Sequence, residues 1–259
     1  MIRSFITAMR TLTILPVPGK ETDRFPSSLP YFPVVGGVLA IFAYFIFRGV
    51  CTIPDIPLLS GIVITVSLLF LTGALHLDGL ADVADGLGGG KSKEKILEIF
   101  KDSRLGTFGV TALVIDLLIK IIMYTWYCDK NVFFIIGLSL IWSRLFQAVA
   151  LTFAPSATPQ KGIASAFSGG NYRVQVLVSF AIVLLICFLV FNKPLAVILL
   201  VMIALAFLLC FVYICMKKIG GITGDCIGAI NEISELAILF AGCFVVNSLD
   251  YSSLLRSFL

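Results

Sequence analysis

Apolar residues along this chain run in long blocks, separated by short polar or proline-bearing breaks. Seven blocks approach the roughly 20 apolar residues that a membrane-spanning helix needs. They cover 31–50, 57–76, 105–127, 131–153, 174–191, 194–216 and 230–248, punctuated by Pro54, Pro57, Pro155, Pro159 and Pro194. In lipid a helix satisfies its own backbone hydrogen bonds, so the pattern predicts an all-α, polytopic transmembrane helix bundle of about seven spans. The bundle forms a single integral membrane domain over 1–259. Two stretches break the pattern. Residues 1–18 carry Arg3 and Arg10, end in Pro16-Val17-Pro18, and lack the apolar core and cleavage site of a signal peptide. They predict a short amphipathic segment at the membrane surface. Residues 77–104 form a long polar loop. Within it, 91–101 predicts an amphipathic helix, with Ile96, Leu97, Ile99 and Phe100 opposed to Lys93, Glu94, Lys95 and Glu98.

Composition supports the membrane reading. Hydrophobic residues make up 59% of the 259 and charged residues 13%, where a soluble domain carries about 25% charged. Charge also sets the expected orientation. With seven spans, thirteen of the nineteen basic residues fall on the side of the N-terminus, among them Lys91, Lys93, Lys95, Lys101, Arg104, Lys161, Arg173, Lys217 and Lys218. Arg48, Lys130, Lys193 and Arg256 fall on the other side, and Lys120 and Arg144 inside spans. The positive-inside rule then places the N-terminus and the basic loops in the cytoplasm, in a plasma or inner membrane. This asymmetry accounts for the net charge of +4 without a nucleic-acid partner. The seven cysteines contain no CxxC pair and sit mostly in apolar runs, as inert apolar residues do. An oligomer is compatible with the pattern.

Candidate chemistry concentrates where the second apolar block ends. Asp78, Asp82 and Asp85 recur at i, i+4 and i+7, so a helix stacks them on one face. Three like charges on one stripe repel unless a cation lies among them. A hard divalent ion such as Mg²⁺ suits oxygen ligands, using a few carboxylates together with substrate phosphates. His76 precedes the stripe. Lys101, Ser103 and Arg104 follow it, and Lys and Arg side chains hold phosphate oxygens. The last polar loop reads Gly220-Gly221-Ile222-Thr223-Gly224-Asp225, and Asp225 is placed to complete a metal cage from a second helix. Asp116, Lys120 and Arg144 are ionisable groups in the bilayer region, where such groups usually face a polar interior and mark function. Gly90-Lys91-Ser92 has Asp85 where a P-loop requires glycine, which excludes that motif.

Together these segments resemble the cobalamin synthase family, the adenosylcobinamide-GDP ribazoletransferases. The resemblance rests on His76-Leu77-Asp78-Gly79-Leu80-Ala81-Asp82 with Asp85-Gly86, and on Asp102-Ser103-Arg104-Leu105-Gly106-Thr107 with Gly109. Lys120, Ser143-Arg144 and Gly221-Ile222-Thr223-Gly224-Asp225 with Gly228, Glu232 and Glu235 extend it. Loop 154–161 departs from the family, which carries a basic residue near the end of the fourth span where this chain has Pro155, Pro159 and then Lys161.

The resemblance implies a Mg²⁺-dependent membrane phosphotransferase. α-Ribazole, or its 5′-phosphate, would attack adenosylcobinamide-GDP, release GMP and give adenosylcobalamin or its 5′-phosphate. In that reading Asp78, Asp82, Asp85 and Asp225 bind metal. His76, Asp82, Arg104 and Arg144 are catalytic, and Lys101, Ser103, Lys120 and Gly224 bind substrate. The run at 82–86 is also similar to CDP-alcohol phosphotransferases, whose pattern continues with Ala-Arg where Gly89 and Gly90 stand here. A cation-coupled transporter working through Asp116, Lys120 and Arg144 is the non-enzymatic alternative.

Overall fold

A computed structural model describes residues 1–50, 57–158, 171–190 and 194–247. Lys161, Lys193 and Arg256 of the charge pattern lie outside the described residues. The structure is all-helical: α1 (Ile2–Leu12), a 3₁₀ segment (Phe25–Tyr31), α2 (Phe32–Val50), α3 (Pro57–Thr72), α4 (Leu75–Gly89), α5 (Lys93–Ile99), α6 (Thr107–Asp129), α7 (Phe134–Phe153), α8 (Arg173–Val190), α9 (Pro194–Ile219) and α10 (Gly224–Asn247).

The amphipathic N-terminus forms α1. Its apolar face, with Ile6, Ala8, Met9 and Leu12, is buried against the 3₁₀ segment and α2. Arg10, on the polar face, pairs with Glu21 at 3.1 Å and donates to the carbonyls of Val17 and Gly19, folding the following strand of chain back over the helix.

Among the described residues five helices are long and apolar enough to cross a membrane: Phe25–Val50, Thr107–Asp129, Phe134–Phe153, Val197–Ile219 and Gly224–Val246. Arg173–Phe188 is a shorter apolar helix. The remaining predicted block, 57–76, is different. Its helix stops at Thr72, and α4 leaves at 91° to α3. Gly73 (φ +62°) and Ala74 (φ +56°) make the turn in left-handed backbone, a region that L-residues other than glycine enter at a cost. α4 therefore lies across the bundle and does not prolong the span.

The centre of the bundle is α7 and α10. They are 78% and 72% buried within the protein, against 22% for α6, which leaves most of α6 facing lipid. α2 packs on α7, α3 on α6, and α4 on both α6 and α10. A short parallel bridge ties the chain after α7 to the turn between α9 and α10. Ala157 N–H donates to the Ile222 carbonyl and Ile222 N–H to that of Pro155, both at 2.9 Å. One expectation is corrected here: Cys128, near the end of α6, is disulfide-bonded and so is not an inert thiol.

Candidate active site

α4 presents the acidic stripe because it is a helix through all three positions, but the three carboxylates have separate surroundings. Asp78 and Asp82 line a cavity of about 490 Å³ in the crook between α4, the start of α6 and the 100–105 loop. Lys101, Asp102 and Ser103 line the same cavity. Partial burial and the negative charges of Asp78, Asp225 and Asp85 push the Asp82 carboxyl up to about 6, as crowded carboxylates do. Asp85 instead accepts hydrogen bonds from the backbone N–H groups of Gly106 (2.7 Å) and Gly109 (2.8 Å). It anchors the N-terminus of α6, where unpaired donors and the helix dipole favour an anion.

Asp225 arrives from α10. The two helices approach closely at paired glycines: a β-carbon at Gly79 would stand 2.6 Å from the main-chain oxygen of Asp225, and one at Gly228 would stand 3.1 Å from that of His76. This contact seats the first turn of α10 on the first turns of α4. Thr223 caps α10, accepting from Cys226 N–H at 3.3 Å and donating to Asp225 at 3.2 Å. Asp225 is thus left in the first turn, beside the stripe. Gly224 is the first residue of that helix. At the cavity rim, Arg104 grips Asp102 through one guanidinium edge, Nε and Nη2 donating to the two carboxylate oxygens at 3.0 and 2.7 Å. That pairing holds the Asp102 carboxyl down to about 2, and the Arg104 side chain remains 87% exposed.

His76, Lys120 and Arg144 are set apart from this cavity. They converge inside the bundle with Asp116, one turn from Lys120 as the spacing suggests, and with Glu232 and Glu235, which the sequence does not pair with them. Lys120 of α6 bonds Glu232 and Glu235 of α10 and lies 3.3 Å from Asp116. Arg144 of α7 bonds Glu235 and, at 3.0 Å, Ser143. Asn231 donates to both glutamates, at 3.1 and 3.0 Å. His76 turns inward, with Nδ1 4.0 Å from Glu232. Each of these side chains is at most 7% exposed. Unpaired charges there would be costly, and mutual pairing is what keeps them. The signal that could have found the set is the presence of two glutamates and two cations on three separate spans.

Asp78 and Asp82 offer hard oxygen donors to one space, and Mg²⁺ typically takes one or two carboxylates plus waters and substrate phosphate. Among the described residues no three His, Cys, Asp or Glu side chains converge into a ready cage. The donors therefore fit a cation shared with substrate oxygens, and not one enclosed by protein alone.

Residues 4–243 match the family description cobalamin-5-phosphate synthase. The chain belongs to that family. Adenosylcobinamide-GDP ribazoletransferases are similar over almost their full length. The protein of that name from Chlorobium phaeovibrioides is 36% identical over 246 residues, 93% of this chain and 97% of its own. Those of Chlorobium phaeobacteroides and a Thermoanaerobacter species are each 35% identical, covering 94% and 96% of this chain and 98% and 99% of their own. No solved structure matches.

Proposed function

We propose that this chain is the multi-pass membrane transferase that joins α-ribazole, or α-ribazole 5′-phosphate, to adenosylcobinamide-GDP. The observation that carries the reading is the sharing of one cavity by Asp78, Asp82, Lys101 and Ser103 in a chain of this family. The 5′-hydroxyl oxygen of the ribazole bonds to the cobinamide-side phosphorus, the bond from that phosphorus to GMP breaks, and GMP leaves. The product is adenosylcobalamin or its 5′-phosphate.

Such a transfer depends mainly on alignment and on neutralised charge. Lys101, Ser103 and Arg104 stand on the loop that closes the cavity and hold phosphate oxygens there; Arg104 must exchange Asp102 for the substrate to do so. Asp78, Asp82 and Asp225 would hold Mg²⁺, which screens the diphosphate and orients nucleophile and leaving group when bound. With His76 turned inward, the hydroxyl proton goes to a carboxylate oxygen of the cavity wall. Asp85 keeps the start of α6, and hence the 101–105 loop, in place. His76, Lys120 and Arg144 act from inside the bundle by holding α4, α6, α7 and α10 together.

The protein lies in the plasma or inner membrane with this cavity on the cytoplasmic side. Purified protein in detergent, given adenosylcobinamide-GDP, α-ribazole and Mg²⁺, should release GMP; no GMP with either form of the nucleophile overturns the reading. Impermeant thiol labelling of Lys93→Cys and Asn131→Cys should report opposite sides of the membrane, with Lys93 inside.

A further inference from the structure

The cavity lining is of two kinds. Asp78, Asp82, Lys101 and Ser103 are charged or polar, and Leu77, Phe100, Leu113 and Leu117 are apolar. Leu113 and Leu117 are one turn apart on α6 and share a face. They lie six and ten residues beyond the start of that helix at Thr107, or about 9 and 15 Å along it. Phosphate chemistry makes no use of the apolar part of the lining. The cavity volume, about 490 Å³, falls in the range of small-molecule sites, which are mostly apolar with a few placed polar groups.

The two substrates differ in what they could put there. The corrinoid substrate brings a diphosphate, guanosine and a ring fringed with amides. The nucleophile carries its reactive 5′-hydroxyl at one end and, at the other, a flat dimethylbenzimidazole with no ring donor. A ribazole whose hydroxyl reaches the carboxylates must extend its base away from them, and the Leu113–Leu117 face lines the same cavity.

We propose that Leu113 and Leu117, with Leu77 and Phe100, form the subsite for the apolar base of the nucleophile and set the preference for a methylated benzimidazole. This rests on the function proposed above, and it gives that reaction a reason to be at a membrane: the base is received on the flank of a spanning helix. One missing methylene in an apolar site changes discrimination by about 10- to 200-fold. Leu117→Ala should therefore raise KM for α-ribazole by about 10-fold and leave KM for adenosylcobinamide-GDP essentially unchanged. It should also erase the preference for α-ribazole over the same nucleoside without its two methyl groups. Leu113→Ala should act in the same direction, and Leu118→Ala, exposed on the same helix outside the cavity, should do neither. Equilibrium dialysis of labelled α-ribazole against the detergent-solubilised protein reads the subsite separately from turnover. Wild type that binds the nucleoside without releasing GMP would sink the proposed reaction and keep the subsite. Equal changes in both KM values, an unaltered preference for the methylated base, or unaltered binding by both Leu113→Ala and Leu117→Ala would overturn the subsite.

Discussion

Two sets of carboxylates flank the first turns of α4, and they are handled in opposite ways. Inside the bundle, Asp116, Glu232 and Glu235 meet Lys120 and Arg144, and the ion pairs close on themselves. In the cavity, Asp78 and Asp82 share the space with one lysine, while Asp225 and Asp85 add negative charge close by. The interior set places two cations among three carboxylates, and an uncompensated charge there would be costly to the fold. Both interior cations are paired within the protein, whereas the cavity carboxylates exceed the positive charge that lines the cavity with them.

The comparison can be broken most directly at Lys120. Lys120→Met should destabilise the detergent-purified protein by about 3–5 kcal/mol, as loss of one partner of a buried pair does. Adding Glu232→Gln should recover part of that loss in thermal unfolding. A stable Lys120→Met protein would mean the interior set is not held by pairing. Asp82→Asn should do the reverse: unfolding unchanged, turnover reduced by at least ~100-fold, the upper range for groups that only support a metal ligand. Excess chelator should have the same effect on wild type, and full turnover in either case removes the cation from the cavity. Asp225→Asn should cost about 10- to 100-fold in turnover and raise the Mg²⁺ concentration needed. Glu94→Gln on α5 should change neither, and equal responses from the two would place Asp225 outside the site. The smallest effect is expected at the helix contact. Gly79→Ala forces a methyl against the Asp225 main chain and should cost about 1–3 kcal/mol, as overpacking does. Its turnover should fall through displacement of Asp225, and a neutral result would show that the contact has slack.

The spans were legible because an apolar run of sufficient length has few other uses, and α4 was legible because its acids repeat at helical spacing. The right-angle turn was not, since Ala74 carries no mark of the left-handed backbone it adopts. The stripe also concealed a division of labour. Asp85 looks like Asp78 and Asp82, but its partners are backbone N–H groups 21 and 24 positions further on, which spacing within one helix cannot reveal. Arg144 has no acidic partner in its own span; Glu235 lies 91 residues away. Leu113 and Leu117 carry no mark in the sequence of the cavity they line.

The contact between Gly79 and Asp225 joins residues almost 150 positions apart. On a ribosome adding about 5–20 residues per second, α4 is made roughly ten seconds or more before α10. Through that interval Lys120 and Arg144 wait in the bilayer without their glutamates, and Asp78 and Asp82 wait without Asp225. One late helix then delivers Asp225, Glu232 and Glu235 together. A chain stopped before Gly224 therefore lacks the partners that both carboxylate sets receive from α10.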